Sequence, residues 1–109
     1  MSSPDPMLEA LLKATVDSGA SDLHLTVGRP ATARRDGVLV SFENVPVLAH
    51  EEIDRMVYSL LDERKLAELN RDRQVDFSFG LPGIGRFRAN AFRPRGKLSL
   101  ALRVVPFRV

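Results

Sequence analysis

From Val75 to Val104 the chain alternates apolar and polar residues in three successive runs. That period of two constrains the fold more than any other feature, because it demands strands with one face buried and one face wet. Val75, Phe77 and Phe79 alternate with Asp76 and Ser78. Phe87, Ala89 and Ala91 alternate with Arg86, Arg88 and Asn90. Leu98, Leu100, Leu102 and Val104 alternate with Ser99, Ala101 and Arg103. Between the runs lie Leu81-Pro82-Gly83 and Pro94-Arg95-Gly96-Lys97, both of turn composition.

The wet face of these strands is basic. Every carboxylate of the chain lies at or before Asp76, whereas residues 77–109 carry six Arg and Lys97. Residues 1–76 hold 9 basic and 14 acidic side chains, so the net charge of +2 conceals one negative and one positive segment. Such segregation implies an anionic partner for one face. A basic edge that resists aggregation is the alternative reading.

Register decides which side chains meet. Closing the first hairpin at Gly80 opposite Ile84 predicts Phe77 opposite Phe87, Ser78 opposite Arg86 and Asp76 opposite Arg88. For the second hairpin, Arg93 opposite Leu98 keeps one face apolar and predicts Arg88 opposite Arg103. Asp76 then neutralises one guanidinium of the group Arg86, Arg88 and Arg103, and the rest lack a counter-charge. Like charges directly opposite destabilise a sheet, while paired guanidinium groups suit a phosphate. Arginine heads that merely reach water remain the alternative.

The rest of the chain supports this sheet. Residues 1–6 are expected as a flexible tail, with Asp5-Pro6 as a helix-start signal, and residues 7–109 as one domain. Leu8, Leu11, Leu12 and Val16 recur at helical spacing before Gly19. Asp22–Val27 alternates as a strand, and residues 31–35 and 38–42 flank Asp36-Gly37, a two-residue hairpin signal. His50–Leu61 carries one apolar stripe, and Asp62 caps a shorter helix running through Asn70. The order α-β-β-β-α-α-β-β-β predicts an α+β fold, an antiparallel sheet with helices packed on one face.

Several chemistries find no support. With no Cys there is no disulfide or thiolate metal site, and His24 and His50 lack metal-ligand spacing. His24, on a polar strand face, reads as a hydrogen-bonding structural residue. The stretch Gly80–Arg86 is glycine-rich but opens a strand, without the Gly-Lys-Ser/Thr that ends a phosphate loop. No signal-peptide pattern or membrane-spanning run occurs, and a cytosolic setting is expected.

Five ordered blocks carry a resemblance: Gly19-Ala20-Ser21-Asp22-Leu23-His24-Leu25; Gly28-Arg29-Pro30 with Arg34-Arg35-Asp36-Gly37; Val75-Asp76-Phe77-Ser78-Phe79; Gly85-Arg86-Phe87-Arg88-Ala89-Asn90-Ala91-Phe92; and Leu102-Arg103-Val104-Val105-Pro106. In that order they resemble the N-terminal domain of the type IV pilus retraction (twitching motility) ATPase family, PilT, within the type II and type IV secretion ATPases. The resemblance covers about residues 7–109 and implies a PAS-like domain. It implies a parent ATPase using ATP and Mg²⁺, with a RecA-like C-terminal domain that holds the Walker motifs. None of those motifs occurs here, so the chain is expected to be an isolated domain without ATPase activity or a cofactor of its own. The implied partners are RecA-like domains of the same and neighbouring subunits in a homohexamer, nucleotide, and the pilus inner-membrane platform protein. The implied location is the cytoplasmic face of the inner membrane.

Carried over by motif, Arg88 is the best match to an arginine that reaches nucleotide phosphates, followed by Arg103 and then Arg86, with Asp76 in support. Asp22, His24 and Arg34 are left for interdomain or structural contacts. Two other functions compete: a nucleic-acid-binding sheet, disfavoured because Phe77 and Phe87 fall on the apolar face, and a PAS-type sensor, which needs an enclosed pocket.

Overall fold

The computed structural model describes residues 4–42 and 45–106. Met1–Ser3 of the expected tail and Arg108 of the basic segment lie outside the described residues. Helix α1 spans Pro6–Asp17, strands β1, β2 and β3 span Asp22–Leu25, Thr32–Arg35 and Val38–Ser41, and helices α2 and α3 span His50–Tyr58 and Glu63–Asp72. Strands β4, β5 and β6 then span Gln74–Leu81, Gly85–Phe92 and Ser99–Val105. All six strands form one antiparallel sheet in the order β3-β2-β1-β6-β5-β4. This is the α+β order that the alternation predicts.

Local chemistry sets the elements. Asp5 caps α1: its Oδ1 accepts from the Met7 and Leu8 amides at 2.9 and 3.3 Å. Its Oδ2 accepts from Arg55 Nε at 2.7 Å, and its own amide donates to Ser59 Oγ at 3.0 Å. Asp5 is therefore buried and ties the start of α1 to the end of α2, and it and Pro6 belong to the fold rather than to a tail. Asp36 and Gly37 both adopt positive φ, the conformation required by the tight β2–β3 hairpin. Asp62 caps α3 through the Lys65 amide, and Arg73 ends it in the left-handed region.

The core lies between the helices and one face of the sheet. Leu8, Leu11 and Leu12 of α1, Ile53, Met56 and Val57 of α2, and Leu69 of α3 pack with Leu23, Leu25, Val75, Phe77, Phe87, Ala89, Ala91, Leu100 and Leu102 of the strands. Phe87 is fully buried, and its ring lies 5.4 Å from that of Phe79. Burying a side chain of this size stabilises by about 1.5–3 kcal/mol. All of this leaves the opposite face of the sheet uncovered by helices.

The second hairpin has the expected register, with Arg88 opposite Arg103 and Ala89 opposite Leu102. The first is offset by two residues. Its turn closes at Leu81 opposite Gly85, which places Phe77 opposite Ala89, Phe79 opposite Phe87, Ser78 opposite Arg88 and Asp76 opposite Asn90. The physical reason is that a two-residue shift preserves the face of every side chain, so apolar patterning cannot choose between the registers.

Candidate functional site

The uncovered face gathers its polar side chains into rows across the strands. In the central row Arg34 of β2 stands opposite Asp22 of β1, Asp22 opposite Arg103 of β6, Arg103 opposite Arg88 of β5, and Arg88 opposite Ser78 of β4. The next row runs through Thr32, His24, Ala101, Asn90 and Asp76. Asp22, Arg103, Arg88 and Ser78 of the first row and His24, Ala101, Asn90 and Asp76 of the second, together with Arg86, line an open concavity of about 730 Å³. Sequence hairpins pair only neighbouring strands. The contact of β1 with β6, which carries Asp22 and His24 to the arginines, is non-local.

The counter-charge comes from Asp22, not from Asp76. Asp22 Oδ2 lies 3.6 Å from Arg34 Nε and 3.9 Å from His24 Nε2, and Oδ1 lies 3.8 Å from Arg103 Nε. Asp76, expected beside Arg88, instead accepts a 2.7 Å hydrogen bond from Asn90 Nδ2 and pairs with no arginine among the described residues. The offset register is the cause. Asn90, Ser78 and the counter-ion role of Asp22 were not expected from sequence. A registered β1–β6 pairing is the signal that would have found Asp22.

His24 does not behave as a satisfied structural histidine. Its Nε2 is buried and has no hydrogen-bond partner among the described residues, and the carboxylate oxygen Asp22 Oδ2, 3.9 Å away, is too distant for one. Arg34 is anchored, because its Nη1 donates to the Gly37 carbonyl at 3.2 Å. Arg88 and Arg86 have no ion pair among the described residues, and both are exposed. Arg86 lies across Gly80, its cross-strand partner: a Cβ there would come within 3.0 Å of Arg86 Nη1. Glycine at 80 thus gives Arg86 a smooth bed on the sheet.

Chemically, this face is an array of forked donors with too few acceptors. Among the described residues, Asp22 pairs with Arg34 and Arg103, Asp76 is taken by Asn90, and Arg86 and Arg88 have no carboxylate partner, while Arg88 and Arg103 are directly opposed. A polyanion with several oxygens satisfies such an array, and bidentate guanidinium contacts favour phosphate or carboxylate. Stacked nucleobases fit poorly, since Phe77 and Phe87 point into the core. The concavity is open rather than an enclosed apolar pocket.

Comparison with known proteins agrees with the fold. The type IV pilus retraction ATPase PilT of Pseudomonas aeruginosa is 34% identical over 99 residues, 91% of this chain and 28% of that protein. A crystal structure of the pilus retraction motor PilT with bound ADP matches with a TM-score of 0.85 and 38% identity, over 91% of this chain and 29% of that one. The ATPase DotB of Legionella pneumophila shares the fold, with a TM-score of 0.78 and 22% identity over 97% of this chain and 30% of that one. No family model matches. The chain spans less than a third of the length of these relatives.

The one-sided antiparallel sheet and these matches together define the class: an N-terminal domain of a secretion or retraction ATPase. Within that class the chain belongs to the PilT family, as the counterpart of its N-terminal domain.

Proposed function

We propose that this domain places Arg88, Arg103 and Arg86 on the phosphates of a nucleotide held by a RecA-like C-terminal domain, in its own or a neighbouring subunit of a homohexamer. Hydrolysis in that pilus-retraction ATPase is thereby coupled to domain movement, at the cytoplasmic face of the membrane beside the pilus platform protein. The observation that carries this reading is the half-compensated guanidinium pair: Arg88 stands directly opposite Arg103, and among the described residues Asp22 pairs with Arg103 while no carboxylate pairs with Arg88.

The donor set fits the group it would hold. Guanidinium forks match the γ-phosphate oxygens and stabilise the charge that develops there. Removing the γ-phosphate removes the acceptor, which changes the affinity of one domain for the other and so supplies a switch. The carboxylates of the face do not suit Mg²⁺: Asp22 stands among cations and Asp76 is taken by Asn90. The metal therefore belongs to the other domain, and the 109-residue chain alone has no ATPase activity in this reading.

The test is Arg88→Ala in the full-length ATPase that carries this domain. ATP turnover is expected to fall by about a hundredfold or more, while the hexamer still assembles by sedimentation. Turnover at the level of the unmodified enzyme overturns the proposal.

A further inference from the structure

We propose that Asp22 is a positioning residue for the phosphate site, an internal counter-ion that holds Arg103 when no anion is bound and releases it to a bound polyphosphate. The inference rests on the functional reading above and adds to it a competitor built into the domain.

The geometry is asymmetric. Asp22 sits on β1 between two arginines, each directly opposite it on a flanking strand. One carboxylate oxygen faces Arg34 and the other faces Arg103. The side chain of Asp22 is 16% exposed, whereas that of Arg103 is 74% exposed. Arg34 has a second tether at the Gly37 carbonyl, and Arg103 has no hydrogen bond besides its ladder among the described residues. When an anion enters, Arg34 stays and Arg103 is the arginine free to move.

The distances suit a competitor rather than a lock. Separations of 3.6 and 3.8 Å are attractive between charges but exceed the 2.7–3.2 Å of a hydrogen bond. Both contacts are made through Nε, so the forked Nη end of Arg103 is not the atom Asp22 holds. His24 Nε2, buried without a hydrogen-bond partner, completes the ring of groups around the carboxylate. Arg88 lies on the far side of Arg103 and has no carboxylate partner among the described residues, so an arriving phosphate meets Arg88 first. Arg103 then exchanges Asp22 for the anion it shares with Arg88. The carboxylate lowers affinity for the anion and, by recapturing Arg103, speeds its release.

The experiment uses the 109-residue chain and inorganic tripolyphosphate at low salt, followed by the Nε–Hε resonances of the arginines. In the unmodified chain the Arg88 and Arg103 resonances are expected to move together. Asp22→Asn is expected to bind about two- to fivefold more tightly, the factor that corresponds to one partly exposed ion pair. The gain should vanish in an Arg103→Ala background, because Asp22 acts through that residue. Asp22→Ser serves as a second variant with the same expectation. Unchanged or weaker binding by the Asp22 variants overturns the inference, and so does an equal gain without Arg103. If tripolyphosphate moves neither Arg88 nor Arg103 in the unmodified chain, the phosphate reading of the face falls and this inference falls with it.

Discussion

A sheet face kept for an anion should be less stable without it, and Arg88→Gln measures that difference. Arg88 and Arg103 are cross-strand partners, so their backbones are about 5 Å apart. Two guanidinium charges about 6 Å apart in water repel by about 0.7 kcal/mol. Replacing Arg88 with the neutral glutamine removes the repulsion and breaks no ion pair among the described residues. The isolated domain should gain about 0.5 kcal/mol at 20 mM salt. With an unfolding entropy near 0.23 kcal/mol/K for a chain of this length, its Tm should rise by about 2 °C. At 1 M salt, where charges are screened beyond about 3 Å, the gain should disappear. Arg103→Gln is the control: it removes the same repulsion but also the attraction to Asp22 at 3.8 Å, so its net effect should be near zero or slightly destabilising. Thermal unfolding of the three proteins at both salt concentrations decides the matter. A Tm lowered by Arg88→Gln at both concentrations would mean that Arg88 stabilises the sheet through packing, and the argument for a strained anion site would fail.

Two further predictions concern what holds the domain together. Asp5→Ala removes the cap of α1 and the ion pair with Arg55, about 1 kcal/mol for the cap and up to about 1 kcal/mol for the pair; urea unfolding should show a loss of about 2 kcal/mol, and a loss below about 0.5 would refute the staple between α1 and α2. At the start of α3, the Lys65 amide bonded to Asp62 holds its carboxyl below the ordinary 3.8, helped by the Lys65 side chain. The cap is therefore fully present above the ordinary carboxylate range and is lost as pH falls through the lowered folded value. Amide exchange in the first turn of α3 should accelerate over that acid window, and Asp62→Ala should abolish the pH dependence.

Much of this was legible in the sequence because alternation and turn chemistry are local. Asp36-Gly37 announced its hairpin, Asp5-Pro6 and Asp62 announced their helices, and the register of β5 on β6 followed from keeping one face apolar. Two features were not legible. The β4–β5 register was missed by two residues, since Phe77 and Phe79 are interchangeable as core residues opposite Phe87. The placement of Asp22 was missed because β1 meets β6 across some eighty residues of chain, and no local pattern reports such a pairing. Both misses fell on the counter-charges. The arginines are placed by the strands that carry them, but their partners depend on how those strands join. The counter-charge role expected of Asp76 therefore belongs to Asp22.

The strands separate stability from chemistry residue by residue. Phe87, Ala89 and Leu102 are buried against the helices, while Arg86, Arg88 and Arg103, each one position away, are exposed on the other face. The helices that build the core never touch the arginine face, so the core does not depend on what that face binds. The face pays for its readiness in unneutralised charge, and it is only partly compensated by Asp22. A second carboxylate beside Arg88 would relieve the repulsion but would also occupy the donors a phosphate needs. On β4, that place opposite Arg88 is held by Ser78, a side chain that is small and uncharged. Asp76, two pairs further along, is bonded to Asn90, so no carboxylate stands directly opposite Arg88. The register that overturned the expected Asp76–Arg88 pair is therefore the one the proposed anion site needs.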